Sequence, residues 1–266
     1  MEKFEGVSNT LYVPLVARIA ISKKFPEYFY DAKALELEKM LPEGVSKGSS
    51  DYSNLASTAR YYNMDEMVQT YAREKEKCNV VYLGAGLETA YDRMKDVLEN
   101  VNWVEVDLPE VIQAREKVFG TREKEILVPG DMFQMEWVDK VDISLPTLLV
   151  ISGVFQYFHK KEVVAFIKNC KKIFEKAEMI FDATNSDGLK FTNWFIKRTG
   201  NATALMYFAV DDGKEFAKEC ETTLLEERTF FTDAIAMVGK KVGFVTRISM
   251  KVANDKKRVM IYRVKL

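Results

Sequence analysis

Two glycines and an acid are the first residues in this chain whose types and spacing could do chemistry. The apolar run Cys78-Asn79-Val80-Val81-Tyr82-Leu83 passes directly into Gly84-Ala85-Gly86 and then into helix-like residues. Glycines without a Cβ let a turn take unusual dihedrals, so a ligand can lie against main-chain amides at the carboxyl end of a strand. About twenty residues beyond Gly86, the segment Glu105-Val106-Asp107-Leu108-Pro109 puts a carboxylate at the tip of what reads as the neighbouring strand. Such a carboxylate accepts hydrogen bonds from both hydroxyls of a ribose. The same residues also suit a tight turn without a ligand and a cap on the helix after Asp107. The third position of the glycine pattern is Thr89, where dinucleotide folds want Gly or Ala. That disfavours a pyrophosphate, and with it a nicotinamide cofactor, and suits a nucleoside ligand without phosphates.

The elements that must position these residues follow from periodicity. Short apolar runs at 80–83, 103–106, 125–128, 147–151 and 178–182 alternate with helical patterns at 87–98, 110–119 and 160–176. This predicts five parallel strands with right-handed crossovers that place helices on both faces. Beyond Asp182, helix-like stretches at 189–198, 213–219 and 232–242 surround an extended segment at 222–229. Residues 244–252 and 258–265 alternate apolar and polar around Asn254-Asp255-Lys256-Lys257, which predicts a closing antiparallel hairpin. The first 78 residues read as a helical cap with breaks near Pro14 and Pro26 and a Gly/Ser-rich stretch at 42–51 suited to a mobile loop. The expectation is one α/β domain over residues 1–266, with a Rossmann-like core from residue 79 onward.

Composition narrows the function classes. Of 266 residues, 47% are hydrophobic and 30% charged, the balance of a globular protein. Lys plus Arg (39) matches Asp plus Glu (40), so no basic face points to nucleic acid. No apolar run reaches membrane-spanning length, and the N-terminal segment lacks the pattern of a signal peptide, which predicts a cytoplasmic protein. Cys78, Cys170 and Cys220 follow no metal or CxxC spacing and read as buried thiols, with no metal site expected. His159 is the only histidine and starts a helix-like stretch, so Cys–His and Ser–His–Asp catalysis are disfavoured.

Several fragments in order resemble the leucine carboxyl methyltransferase family, including bacterial relatives of the polyketide carboxyl O-methyltransferase type. They are Thr10-Leu11-x-x-Pro14-Leu15-x-Ala17-Arg18, then Ala59-Arg60 with Met64-Asp65, then the segments 83–89 and 105–109, and Val128-Pro129-Gly130-Asp131. The resemblance implies a class I methyltransferase fold and S-adenosylmethionine as methyl donor. It implies that Arg60 pairs with the methionyl carboxylate, that Gly84 and Gly86 approach the cofactor, and that Asp107 with Leu108 holds the ribose. Asp131 and Met132 would flank the adenine. Where relatives carry Glu-Gly after the fourth strand, this chain has Ser152-Gly153, so a carboxylate is replaced by a hydroxyl. Tyr157 and Phe155 stand at a strand-to-helix junction, where aromatics by default pack in the core and lining the pocket is the alternative, and Arg18 together with Tyr157 would position the acceptor. The implied reaction methylates an oxygen of a small acceptor. A carboxylate suits it because a group with a pKa of about 4 is already a nucleophile at neutral pH. An oxidoreductase on a similar sheet, or a binding protein that keeps the fold without turnover, are the competing readings.

Overall fold

The computed structural model describes residues 11–41, 49–120, 122–198 and 205–266. The helical segment comprises α1 (Tyr12–Lys24), α2 (Ala32–Leu37) and α3 (Asp51–Arg73). The core follows as β1 (Cys78–Leu83), α4 (Ala90–Met94), β2 (Val101–Asp107), α5 (Pro109–Phe119), β3 (Glu125–Pro129), β4 (Thr147–Ile151), α6 (Lys160–Ile173) and β5 (Ala177–Thr184). It ends with α7 (Ser186–Arg198), α8 (Gly213–Glu219), β6 (Thr223–Thr229), α9 (Thr232–Val238), α10 (Phe244–Asp255) and β7 (Val259–Lys265).

The seven strands form one sheet in the order β3-β2-β1-β4-β5-β7-β6. Strands β1 to β5 are parallel, and β7 runs antiparallel between β5 and β6. All five strands anticipated from the apolar runs are present. Every residue of β1 and β4 is buried, which is why they read as continuous apolar runs and not as alternating ones. One face packs with α3 through Leu55, Met67 and Tyr71 against Val80 and Trp103; the other packs with α6 through Phe166 and Ile167 against Leu149 and Phe181. Each such large apolar side chain stabilises the fold by about 1.5–3 kcal/mol.

The expected closing hairpin is corrected. Residues 244–255 form α10, and β7 pairs with β5 and β6 instead. The alternation at 244–252 is incidental, because the side chains α10 buries are Met250 and Ala253, three apart on one helical face. The Asn254 side chain then accepts from the Phe231 amide (3.0 Å) and fixes the helix end. Pro14 sits in the first turn of α1, where a missing amide costs nothing, and Pro26 follows the end of α1. The pattern at 87–98 shortens to α4, since residues 84–89 are spent on the glycine turn. Thr10 and most of the 42–51 stretch lie outside the described residues. All three cysteines are buried, and burial pushes the Cys78 thiol up to about 11 and that of Cys220 to about 12. Among the described residues no helix is long and apolar enough to cross a membrane.

Candidate active site

The strand order reverses between β1 and β4, and ligands of open α/β sheets bind outside the carboxyl ends of the strands at such a point. A cavity of about 690 Å³ lies there. That volume falls within the range of about 300–1,000 Å³ typical of small-molecule sites. A more open depression of about 1090 Å³ lies at the opposite, amino ends of the strands, where Asn79, Val101 and Thr147 begin their runs. Its rim of Lys and Glu side chains is solvated surface.

The turn after β1 is built as the glycines require. Gly84 has φ +74°, and a Cβ there would sit 2.4 Å from a Val154 methyl. The amides of Gly84 and Ala85 donate to the Val106 carbonyl at 2.9 and 3.2 Å, continuing the β1–β2 ladder into the turn. The Gly86 amide donates to Asp107 Oδ2 (2.7 Å), while Asp107 Oδ1 accepts from the Leu108 amide (2.7 Å). Glycine turn and acid are therefore one bonded unit. Burial pushes the Asp107 carboxyl above its usual range, against the pull of those two amides. Each oxygen keeps a lone pair for a further donor.

Below the turn, Arg115 on α5 acts as a clamp. Its Nη1 donates to the carbonyls of Gly86 (2.9 Å) and Glu88 (3.0 Å), and its Nη2 pairs with Glu125 (3.0 Å). Glu105 on β2 lies 3.5 Å from the same Nη2, fully buried, with neither oxygen hydrogen-bonded. Burial pushes its carboxyl up to about 8, with the Arg115 charge pulling the other way. The protonated form thus dominates in the fold near neutrality. A raised native pKa confers stability that is whole below the unfolded value of about 4.3 and is lost as pH rises toward about 8. Glu105→Gln should remove that slope. Urea midpoints at pH 5.5, 7 and 9 should fall for the wild type and stay flatter for the variant; parallel declines would show Glu105 ionised throughout.

Arg60 enters from α3. Its Nη1 donates to Asp182 Oδ2 on β5 (3.3 Å), and Asp182 Oδ1 accepts from the Gly153 amide (2.6 Å). Gly153, at φ +70°, leaves room for the guanidinium, since a Cβ there would lie 2.4 Å from Arg60 Nη1. Burial opposes the Arg60 charge, but Asp182 and Tyr61 together outweigh it and hold the guanidinium protonated. On the third strand, the Gly130 amide donates to the Asp107 carbonyl (2.8 Å), and Asp131 caps a single turn at Met132–Gln134 through the Phe133 amide (2.9 Å).

Ten residues anticipated from the sequence line this one cavity: Arg18, Arg60, Gly84, Gly86, Asp107, Leu108, Asp131, Met132, Ser152 and Tyr157. Arg18 is buried to 1% exposure, with its guanidinium committed to the Leu87 carbonyl, Asp31 (3.1 Å) and Glu88 (3.5 Å). Arg93 joins the same cluster, paired with Asp65 through two bonds of 2.7 and 2.8 Å. Burial still pushes the Asp65 carboxyl up to about 6. Phe155 does not line the cavity and takes the core position that is the default for an aromatic at a strand-to-helix junction. It is buried among Phe166, Phe181 and Phe208, where an aromatic gains more from ring packing than from solvent. His159 stands apart from the lining. Its amide donates to Glu162 (2.9 Å) at the start of α6, and its ring packs on Tyr207. Asp182 is the site residue that sequence reasoning missed, although it obeys the rule that flagged Asp107: an acid at the carboxyl end of an otherwise apolar parallel strand.

S-adenosylmethionine fits this lining. Six buried polar atoms on cavity residues lack a hydrogen-bond partner in the protein: Arg18 Nε, Ser57 Oγ, Arg60 Nε, Tyr82 Oη, Ser152 Oγ and Thr184 Oγ1. Carboxylates of Glu88, Asp107, Asp131 and Asp182 outnumber the guanidiniums of Arg18 and Arg60, an electrostatic balance that favours a sulfonium. Known proteins agree. The chain is 24% identical to the tetracenomycin polyketide synthesis O-methyltransferase TcmP of Streptomyces glaucescens, over 74% of each chain. It is 21% identical to the S-adenosyl-L-methionine-dependent methyltransferase dpfgK of Gibberella zeae, over 68% of this chain and 65% of that one. A crystal structure from Thermobifida fusca YX, assigned as a methyltransferase, superposes with a TM-score of 0.61 at 13% identity, over 94% of this chain and 93% of that one, and shows the shared fold. Residues 15–171, well over half of the chain, match the leucine carboxyl methyltransferase family, so the protein belongs to that family and takes its methyl group from S-adenosylmethionine.

Proposed function

We propose that the protein, acting as one domain, transfers the methyl group to an oxygen of a small acceptor, a carboxylate, and releases a methyl ester. The observation that carries this reading is that the chain's only histidine is held at a helix start outside the cavity. A carboxylate needs no base to become a nucleophile, so the protein's task reduces to aligning oxygen, methyl and sulfur. Such alignment lowers a barrier by roughly 7–11 kcal/mol. That a similar protein, TcmP, is an O-methyltransferase supports oxygen as the receiving atom.

In this reading Asp107 accepts from the ribose hydroxyls, with Gly84, Gly86 and Leu108 shaping the turn around the cofactor. Asp131 and Met132 flank the adenine, and Arg60 offers a guanidinium fork to the methionyl carboxylate. Ser152 adds its unpartnered hydroxyl at the end of β4. Tyr157 is the residue assigned to the acceptor, while Arg18, its guanidinium ion-paired with Asp31 and Glu88, contributes by bracing the wall. When bound, the cofactor supplies an electrophilic methyl; the chain's residues hold it and exclude water.

The test is the alkali lability of the product. Incubated with radiolabelled methyl donor and panels of small carboxylic acids and phenols, the protein should yield label that mild base releases as volatile methanol. Base-stable label, as an aryl or alkyl ether would carry, would overturn the carboxylate assignment.

A further inference from the structure

Asp182 touches two things at once. One oxygen takes the Gly153 amide at 2.6 Å, and the other takes Arg60 Nη1 at 3.3 Å. It thereby ties α3, whose Arg60 is 122 positions away from it in sequence, to the β4 turn. Only 7% of the Asp182 side chain and 13% of the Arg60 side chain are exposed, so the pair is desolvated and its charges act strongly on what enters the cavity. Around it lie the unpartnered Arg60 Nε, Ser152 Oγ and Thr184 Oγ1. A buried guanidinium and carboxylate within hydrogen-bond distance form a dipole whose complement is a zwitterion, the charge pattern of an α-amino acid. Neither the adenine nor the ribose of the cofactor carries such a pair.

We infer that Asp182 is the positioning residue of the subsite for the amino-acid end of the cofactor, holding Arg60 and Gly153 where the methionyl carboxylate and ammonium must meet them. The inference rests on the cofactor assignment and is independent of which acceptor is methylated. Without Asp182, Arg60 loses the carboxylate that it pairs with, and the Gly153 amide loses its acceptor.

Calorimetric titration of two ligands tests it. S-adenosylhomocysteine keeps the amino-acid end, whereas 5′-methylthioadenosine lacks it and retains the adenosyl group. Asp182→Asn should weaken adenosylhomocysteine at least tenfold and leave methylthioadenosine within twofold. Because a single substitution strands the Arg60 charge, the paired variant Arg60→Gln/Asp182→Asn serves as a second arm. It replaces the ion pair with neutral amides, which such sites tolerate far better than one lone charge, and the same selective loss is expected. Equal losses for both ligands would mean that Asp182 supports the fold at large, and unchanged adenosylhomocysteine binding in either variant would remove it from the subsite. Either result would overturn the inference while leaving the ester-forming reading untouched, since no acceptor is present.

Discussion

Asp107→Ala should weaken the binding of S-adenosylmethionine and S-adenosylhomocysteine by at least tenfold. In the native site both carboxylate oxygens are oriented by backbone amides at 2.7 Å before any ligand arrives, so a ribose meets fixed acceptors and little ordering remains to be done. Hydrogen bonds to a charged group contribute about 1.5–3 kcal/mol each, and about 1.4 kcal/mol is one decade of affinity. Losing even one such bond therefore reaches tenfold, and losing two moves toward a thousandfold. Unlike Asp182→Asn, this substitution should weaken methylthioadenosine as well, because the ribose is common to all three ligands. An unchanged dissociation constant by calorimetry would take Asp107 out of the ribose role.

Arg115→Leu should be the most damaging single change to stability. Arg115 is fully buried, and its removal takes the guanidinium from beside Glu105 and leaves Glu125 with Arg122 alone. Breaking a buried pair from one side costs about 3–5 kcal/mol, a fall in melting midpoint of about 10 °C in a chain of this size. A variant melting within two or three degrees of wild type would refute the clamp. The Gly86 and Glu88 carbonyls would also lose their donor, so cofactor affinity should drop alongside stability.

The parallel core was legible because burial on both faces turns β1 and β4 into uninterrupted apolar runs with turn residues at either end. The glycine turn and Asp107 were legible because strand-tip chemistry is local: φ values of +74° and +52° at Gly84 and Gly86 leave few residue types admissible. The roles of Arg60, Asp131 and Ser152 came from resemblance alone, since a helix arginine or a capping acid carries no local mark of a ligand. Asp182 escaped notice because its significance is a relation to Arg60, 122 positions away, that no short window contains. The segment 244–255 misled for the opposite reason. Its alternating residues satisfy a strand pattern, while Phe244, Val245 and Ile248 stay exposed and only Met250 and Ala253 reach the core.

The placement of β7 between β5 and β6 constrains how the chain matures. As the polypeptide emerges from a ribosome, β5 presents bare amides and carbonyls along one side, and residues 223–229 have no neighbour to zip onto until residues 259–265 are out. Over that interval of synthesis the half-built sheet offers a template to any other extended chain. The nascent protein is thus most prone to mispairing just before β7 clears the exit tunnel, and chaperone demand should peak at that stage.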